Sequence, residues 1–328
     1  MLLALAGALC LVGCRPRTAT PTLDPATCRA EIDDVFGPQD TAVVALRSTD
    51  GGGVFRPDVL EAIDRVCVAF EDAQVDHDVM TKCLTNVPLM EARPGGARLV
   101  MPRDELPVDP PGAVRIQTLM LELEFAVGDV VDGSGTRSYI HVNRGMFDGV
   151  DLRALFEAQQ AAEPSLEMAI DLEPGDLAAY RKVAGAGPSS AAVLGLLDTG
   201  QDGGIKEPSA LQALDRFQVA AEGTPKVAQS FTIVDDLKVT RRGLRRGNPA
   251  EAVIPPKRSE VAQLLLAMTM APTGDMFGPR IDSAQRVALV RVNLMPTTPE
   301  MRKRVTKRLE DALLLEAPEG ARAIVCEE

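Results

Sequence analysis

Ala42-Val43-Val44-Ala45-Leu46 and Ala192-Val193-Leu194-Gly195-Leu196 are similar apolar runs that begin 150 residues apart in the chain. Two further pairs of segments keep the same order and nearly the same offset: Pro57–Arg65 with Pro208–Arg216, and Tyr139–Asn143 with Leu289–Asn293. Similar segments in one order at a fixed offset indicate a duplicated unit. The sequence therefore predicts two homologous halves, at residues 30–173 and 190–328, joined by a linker at 174–189.

Each half is predicted to have the element order β-α-β, an excursion, and then β-α-β again. In the first half the periodicity predicts strands at 41–47, 77–85, 137–143 and 166–171, with helices at 57–73 and 151–162. In the second half it predicts strands near 191–197, 226–233, 286–294 and 321–325, with helices near 208–221 and 298–314. The excursions, residues 88–135 and 235–282, carry helical patterns at 113–126 and 258–271. This order predicts an α+β fold of two tandem ferredoxin-like (βαββαβ) subdomains with helical insertions.

Composition limits the classes of partner and chemistry. The 328 residues include 35 basic and 47 acidic side chains, a net charge of −12, whereas nucleic-acid-binding proteins usually present a basic face. His77 and His141 are the two histidines of the chain, which excludes most metal sites and histidine-based catalysis. We therefore predict no nucleic-acid partner, no metal, no cofactor and no enzymatic activity.

The first 13 residues are almost wholly apolar and lead into Cys14, after which the chain is polar and rich in Pro and Thr. Thirteen residues are too few to cross a hydrocarbon core of about 30 Å, so they are predicted to be a signal peptide. The order Leu11-Val12-Gly13-Cys14 resembles a bacterial lipobox. That resemblance implies a lipid on Cys14, a tether at residues 14–29, and a place in the cell envelope facing the periplasm, with Arg15 favouring the outer membrane. The alternative is an ordinary apolar start in which Cys14 is incidental.

Four cysteines remain once Cys10 leaves with the signal peptide and Cys14 carries a lipid: Cys28, Cys67, Cys83 and Cys326. An even number in an exported protein is compatible with two disulfides, for which three connectivities exist. Cys67 lies late in a predicted helix and Cys83 in the following strand, so this pair would join helix to sheet. Cys28 and Cys326 would then tie the two chain ends together. The alternative is four buried thiols that pack as small apolar groups.

Several segments carry a resemblance to a known family. In the first half they are Phe36-Gly37, the helix beginning at Pro57, and Cys83-Leu84-Thr85-Asn86; in the second they are Gln229-Ser230-Phe231, Val234-Asp235-Asp236-Leu237-Lys238, Gly247-Asn248-Pro249 and Val261-Ala262-Gln263-Leu264-Leu265. These segments resemble the two large extracytoplasmic loops of resistance-nodulation-division (RND) superfamily exporters, in the branch of the mycobacterial large membrane proteins (MMPL) and hydrophobe exporters. The resemblance implies periplasmic porter-type domains that handle a hydrophobic or lipid substrate.

The hydropathy of the chain departs from that family. Such exporters have bundles of membrane helices around their loops, whereas no apolar run here reaches about 18 residues. We therefore expect an envelope lipoprotein, attached to the membrane only by its lipid, that binds or hands on a hydrophobic molecule or lipid, or partners a membrane-embedded exporter. Two alternatives stay open: a structural or interaction module without a ligand, and one segment of a split RND transporter.

Two features are candidate binding sites. An apolar, Met-rich stretch predicts a ligand groove between the halves, and its candidate residues are Leu264, Leu265, Met268, Met270, Met276 and Phe277. Core packing is the alternative for this stretch. A basic cluster predicts contact with anionic headgroups or an acidic partner, and its members are Arg241, Arg242, Arg245 and Arg246. A solvated helix end is the alternative for this cluster.

Overall fold

The computed structural model describes residues 25–327, apart from residue 38 and the segments 76–80, 94–95, 124–125 and 270–279. Within these residues the fold is mixed α+β, with nine strands and nine α-helices. The strands are β1 (Thr41–Ser48), β2 (Leu89–Arg93), β3 (Gly96–Val100), β4 (Arg137–Asn143), β5 (Leu166–Asp171), β6 (Ala192–Asp198), β7 (Val227–Phe231), β8 (Val287–Leu294) and β9 (Arg322–Glu327). The helices are α1 (Pro25–Phe36), α2 (Pro57–Asp72), α3 (Pro110–Leu121), α4 (Leu152–Ala162), α5 (Leu177–Ala184), α6 (Pro208–Glu222), α7 (Ile233–Leu244), α8 (Arg258–Thr269) and α9 (Pro299–Glu316).

The first strand and helix form where the apolar pattern predicts them. Residues 41–46 of β1 are all buried, as expected for a central strand that is covered on both faces. α2 begins at Pro57, because the proline ring fixes a helical φ and its missing N–H would have no intrahelical partner in the first turn. Leu60, Ile63 and Phe70 recur at helical spacing and are buried against the sheet.

Two antiparallel sheets have corresponding strand orders. The order is β4-β1-β5 in the first half and β7-β8-β6-β9 in the second, so β4, β1 and β5 correspond to β8, β6 and β9. All the pairings within these sheets are antiparallel. The strands that contain the duplicated segments thus lie at equivalent positions in the two sheets. Because Ala42 pairs with Val142 and Val193 pairs with Val292, the structural offset between β1 and β6 is 151 and not 150. β2 and β3 form a separate antiparallel hairpin.

The strand predicted at 77–85 is wrong in the part that the structure describes. Lys82 makes a single antiparallel bridge to His141 of β4, and no longer strand forms around it within the described residues. The chain then turns, because the side chain of Asn86 accepts a hydrogen bond from the N–H of Cys83 at 2.9 Å. Lys82 therefore takes the position beside β4 that β7 takes beside β8.

The insertions between the second and third strands differ between the halves. The first half inserts the β2-β3 hairpin and α3, and the second inserts α7 and α8. α3 and α8 overlap the helices predicted at 113–126 and 258–271, whereas β2, β3 and α7 were not predicted. α7 begins with a capping box, in which the side chains of Thr232 and Asp235 each accept the backbone N–H of the other.

Two further unpredicted helices cross between the halves. α1 precedes β1 but packs through Ile32 and Phe36 on the second sheet, against β6, β8 and β9. α5 precedes β6 but packs through Tyr180 on the first sheet, against β1, β4 and β5. The helix in front of each half thus covers the sheet of the other half. The predicted tether at 14–29 therefore contains the start of α1, and the predicted linker at 174–189 contains α5.

Successive side chains of the central strands β1 and β6 point to opposite faces of their sheets, so they belong to different hydrophobic cores. In β1, Val44 and Leu46 point toward α2 and α4, while Val43 and Ala45 point toward α5. In β6, Val193 and Leu197 likewise face the main core of the second half, which contains α6 and α9. In the part of the chain described, no helix is long and apolar enough to cross a membrane.

Candidate functional site

The two halves meet at a buried group of polar and aromatic side chains, which we call the seam cluster: Lys82, Asp129, His141, Phe231 and Asn293. Lys82 and His141 are neighbours because their backbones exchange hydrogen bonds of 3.0 and 2.8 Å. Asp129 lies in the turns that follow α3 in the first half. Phe231 ends β7 and Asn293 lies in β8, so the second half supplies both of these residues.

Asp129 is the centre of the seam cluster. Lys82 forms an ion pair with its Oδ2, and Nε2 of His141 lies 3.0 Å from its Oδ1. The amide of Asn293, from the other half, donates a hydrogen bond of 3.1 Å to the same Oδ1. Only 2% of the Asp129 side chain is exposed, so the carboxylate depends on these partners in place of water. Both carboxylate oxygens are engaged from within the protein.

The electrostatics of this carboxylate follow from its partners. Burial raises the pKa of Asp129, but its interactions with Lys82 and His141 outweigh burial and hold the pKa well below the ordinary value of 3.8. Burial lowers the pKa of Lys82, and the nearby Asp129 carboxylate opposes that shift. Asp129 is therefore an anion over the whole neutral range, in a place where an unpaired anion would be strongly destabilising.

Phe231 connects the seam cluster to a second group of charges. The Nζ of Lys82 lies 4.6 Å from the centre of the Phe231 ring, and the guanidinium carbon of Arg280 lies 5.6 Å from it. Both distances are within the range of cation–π attraction. Arg280 is also ion-paired with Asp236 of α7, at 3.1 Å. Phe231 belongs to the second half but packs into the core of the first, so this ring joins the two halves.

A second buried carboxylate positions α7. Asp235 accepts hydrogen bonds of 2.9 Å from the Thr232 backbone and from the side-chain amide of Gln218 in α6. Burial raises the pKa of Asp235 to about 6, although its hydrogen bond from Thr232 acts in the opposite direction. This network fixes the start of α7, the helix that carries Val239 against the core of the first half.

The predicted disulfide pairs are present. Cys28 of α1 is bonded to Cys326 of β9, and Cys67 of α2 is bonded to Cys83. Cys83 lies in the turn after Lys82, not in a strand, so this disulfide joins α2 to that turn. The first disulfide attaches α1 to the sheet of the other half, and the second holds the segment that supplies Lys82.

The four arginines of the predicted basic cluster lie in two different environments. Arg241 is ion-paired with Glu251 and Glu260, at 3.1 and 3.0 Å. Arg242 reaches Glu122 in the other half at 2.8 Å. These two guanidinium groups stabilise the fold, and Arg242 adds a contact across the halves. Arg245 and Arg246 are exposed at the end of α7, and Arg245 lies 3.6 Å from Glu260.

The predicted ligand-groove residues are only partly within the described structure. Leu264 and Leu265 are buried in the core of the second half, beside Val261, and Met268 packs partly buried against that core. These three side chains therefore contribute to packing within one half. Met270, Met276 and Phe277 lie outside the described residues, as does Cys14, so their predicted roles stay predictions.

Sequence reasoning missed the seam cluster as a site. The repeat was the one sequence signal for it. The repeat aligns His141 with Arg291 and Asn143 with Asn293, and so predicts that polar residues occupy equivalent strand positions in the two halves. Nothing in the sequence indicated that Asp129 would lie beside them, since it comes from the insertion. In the part that the structure describes, no group of three or more His, Cys, Asp or Glu side chains has a geometry for holding a metal ion.

The seam cluster is suited to holding the halves in one arrangement. Its carboxylate is buried and ion-paired, the side chain of its cation is 11% exposed, and its partners come from both halves. Comparison with known proteins finds no matching family model and no matching curated protein, so function is inferred from the residues and their arrangement.

Proposed function

We propose that the protein is an envelope lipoprotein whose two halves are tandem ferredoxin-like, porter-type domains. Its role would be to bind a hydrophobic molecule or lipid and hand it on, or to partner a membrane-embedded exporter. The observation that supports this proposal is the repeated strand order, β9-β6-β8-β7 in the second half and β5-β1-β4 followed by the Lys82 bridge in the first. Two related α+β units side by side offer the kind of surface that porter domains use.

Two features support a place outside the cytoplasm. The apolar start resembles a signal peptide that leads into a lipobox at Cys14. Two disulfides are typical of proteins that fold in an oxidising compartment. The Cys28–Cys326 disulfide also attaches the first described helix firmly to the fold, so a force on the tether would act on the whole domain pair.

The end of α8 is our candidate for the ligand-facing region. Leu266 is 60% exposed, while its neighbours Leu264 and Leu265 are buried in the core. The helix ends just before residues 270–279, which include the Met and Phe side chains proposed to line a groove. A hydrophobic molecule bound there would contact the exposed face of α8.

The buried seam cluster favours a second candidate, an interaction module without a ligand. A carrier with its site between the halves needs a cleft there, whereas Asp129 and Asn293 close the described part of the seam with a direct hydrogen bond. Helices α1 and α5 further join the halves. As an interaction module, the protein would be a rigid part of a larger envelope assembly.

Mass spectrometry of lipids that co-purify with the protein from its native host distinguishes the two candidates. A carrier is expected to retain a defined lipid in stoichiometric amount, and Leu266→Gln is expected to lower that amount. Val219→Gln is the matched control, because Val219 is 71% exposed on α6 in the same half. Absence of lipid, together with cross-links to one envelope protein, would overturn the carrier role in favour of the interaction module.

The mass of the purified protein tests the attachment itself. The proposal predicts loss of residues 1–13 and a diacylglyceryl group on Cys14, with Cys14→Ser remaining unmodified. An intact chain with a free Cys14 thiol would contradict attachment, whatever the result for bound lipid.

A further inference from the structure

Helix α9 has an exposed face on which basic residues outnumber acidic ones. Between Pro299 and Arg308 the helix carries five basic residues and one acidic residue, in a chain whose net charge is −12. Its buried side chains are Val305, Leu309 and Leu313. On the opposite side, four basic residues are exposed within an arc of about 140°, which also contains the exposed acidic residues Glu300 and Asp311. These four residues, Lys303, Arg304, Lys307 and Arg308, are the α9 basic face.

The spacing on this face is unfavourable for the isolated helix. Lys303 with Lys307 and Arg304 with Arg308 are like-charge pairs at i,i+4, which repel each other. The positive end of the helix dipole also disfavours cations near the first turn. Lys307 is ion-paired with acidic residues of the next turn. Glu300, one turn earlier, interacts electrostatically with Lys303 and Arg304 but forms no ion pair with them within 4 Å among the described residues. An external anion would relieve the repulsion that remains.

The α9 basic face lies at the end of the sheet where the chain enters the fold. Leu313 contacts the middle of β6, where a Cβ on Gly195 would lie 3.2 Å from its side chain. The helix extends from there, toward its N-terminus, alongside the final residues of β9. Cys326 lies near the end of β9 and is bonded to Cys28, three residues after Pro25. Residues before Pro25 therefore join the fold at the same end of the sheet as the N-terminal half of α9, but on the opposite face of the sheet, where α1 packs.

We infer that the α9 basic face is a second membrane contact, which binds the anionic phospholipid headgroups of the membrane that holds the lipid anchor. This inference rests on the proposed attachment through Cys14. The ten residues from 15 to 24 span up to about 35 Å when extended, so the fold stays within reach of the bilayer. The acidic remainder of the protein is repelled by the same surface. Attraction at α9 and repulsion elsewhere would fix one orientation of the two halves on the membrane.

Lysine labelling of the lipidated, full mature protein tests this inference. The protein is inserted into vesicles of phosphatidylcholine, with or without phosphatidylglycerol, and the acylation rate of each lysine is measured by mass spectrometry. Each basic side chain near an anionic surface contributes roughly fivefold to binding. Labelling of Lys303 is therefore expected to slow at least roughly fivefold in the anionic vesicles, and high salt is expected to restore it. Lys182, exposed on α5, is the internal control and is expected to keep its rate.

A pair of matched variants adds a second measurement. Lys303→Gln/Arg304→Gln removes two of the four cations and is expected to weaken binding to anionic vesicles roughly 25-fold, so that Lys307 loses most of its protection. Arg181→Gln/Lys182→Gln removes the same charge from exposed positions of α5 and is expected to leave that protection intact. Equal labelling of Lys303 in both vesicles would overturn the inference. Protection found only in native envelopes would also overturn it, and would indicate an acidic protein partner. Failure of the protein to enter neutral vesicles would instead contradict the lipid anchor.

Discussion

Replacing Lys82 with methionine tests whether the seam cluster holds the two halves together. Lys82→Met keeps most of the side-chain volume but removes the cation that is ion-paired with Asp129 and lies 4.6 Å from the Phe231 ring. The Asp129 carboxylate would then remain buried, with an imidazole and an amide as its partners. Removing one partner of a buried ion pair typically costs about 3–5 kcal/mol, and we expect a loss of unfolding free energy in that range.

The pH dependence of this loss identifies its cause. In the native protein the pKa of Asp129 lies below 3.8, so its contribution to stability is present at neutral pH and is lost only in strong acid. In Lys82→Met, burial is no longer opposed by the ammonium group, so the pKa of Asp129 rises. An acid with a raised pKa destabilises the folded state above its unfolded pKa. The penalty of the variant relative to the native protein is therefore expected to grow as the pH rises from strong acid, below the ordinary pKa of 3.8, through the raised pKa of Asp129 in the variant.

Urea unfolding, followed by circular dichroism with the disulfides intact, measures both effects. Lys182→Met, at an exposed position of α5, is the control and is expected to change stability by no more than about 0.5 kcal/mol. The double variant Lys82→Met/Asp129→Asn is expected to lose at least about 2 kcal/mol less than the sum of its single changes. Strict additivity, or a loss below about 1 kcal/mol in Lys82→Met at pH 7, would refute the assigned role.

Three further predictions concern the disulfide between the chain ends, the buried acid of α7 and the linker. Cys28→Ala/Cys326→Ala removes a disulfide between residues 298 positions apart, so it should lower the free energy of unfolding by up to about 5–6 kcal/mol. Cys67→Ala/Cys83→Ala removes a disulfide with a separation of 16, so its loss should be at most about 3 kcal/mol. Urea unfolding of the two oxidised variants compares these losses. Because burial raises the pKa of Asp235 to about 6, its ionisation should lower native stability by up to about 3 kcal/mol as the pH rises from about 4 to about 6. Asp235→Asn should remove that part of the pH dependence, as measured by unfolding across this range. Gly187→Ala would place a Cβ 2.2 Å from the phenol ring of buried Tyr139, so thermal unfolding should show a loss of about 1–3 kcal/mol.

The prediction of fold elements succeeded where a strand or helix had a clear local signal. The apolar run at 41–47, the proline at 57 and the helical spacing that follows each fix a local conformation, and the structure has β1 and α2 at these places. The prediction failed at 81–85, the described part of the strand predicted at 77–85, where the disulfide and the Asn86 side chain stabilise a turn after Lys82. Local β propensity did not reveal these contacts, because they come from residues outside the strand pattern.

The sequence by itself determined the α+β class of the fold, the even set of cysteines and the acidic balance of charge, and it predicted the repeat. Each of these is determined by the types of the residues and their positions along the chain, whichever residues meet in the folded protein. Only the tertiary structure decided that α1 and α5 each cover the sheet of the other half, and that Asp129 meets Lys82, His141 and Asn293. Burial of charge is a property of position in the folded chain, and residues far apart in sequence must meet before a carboxylate can lose its water and gain these partners.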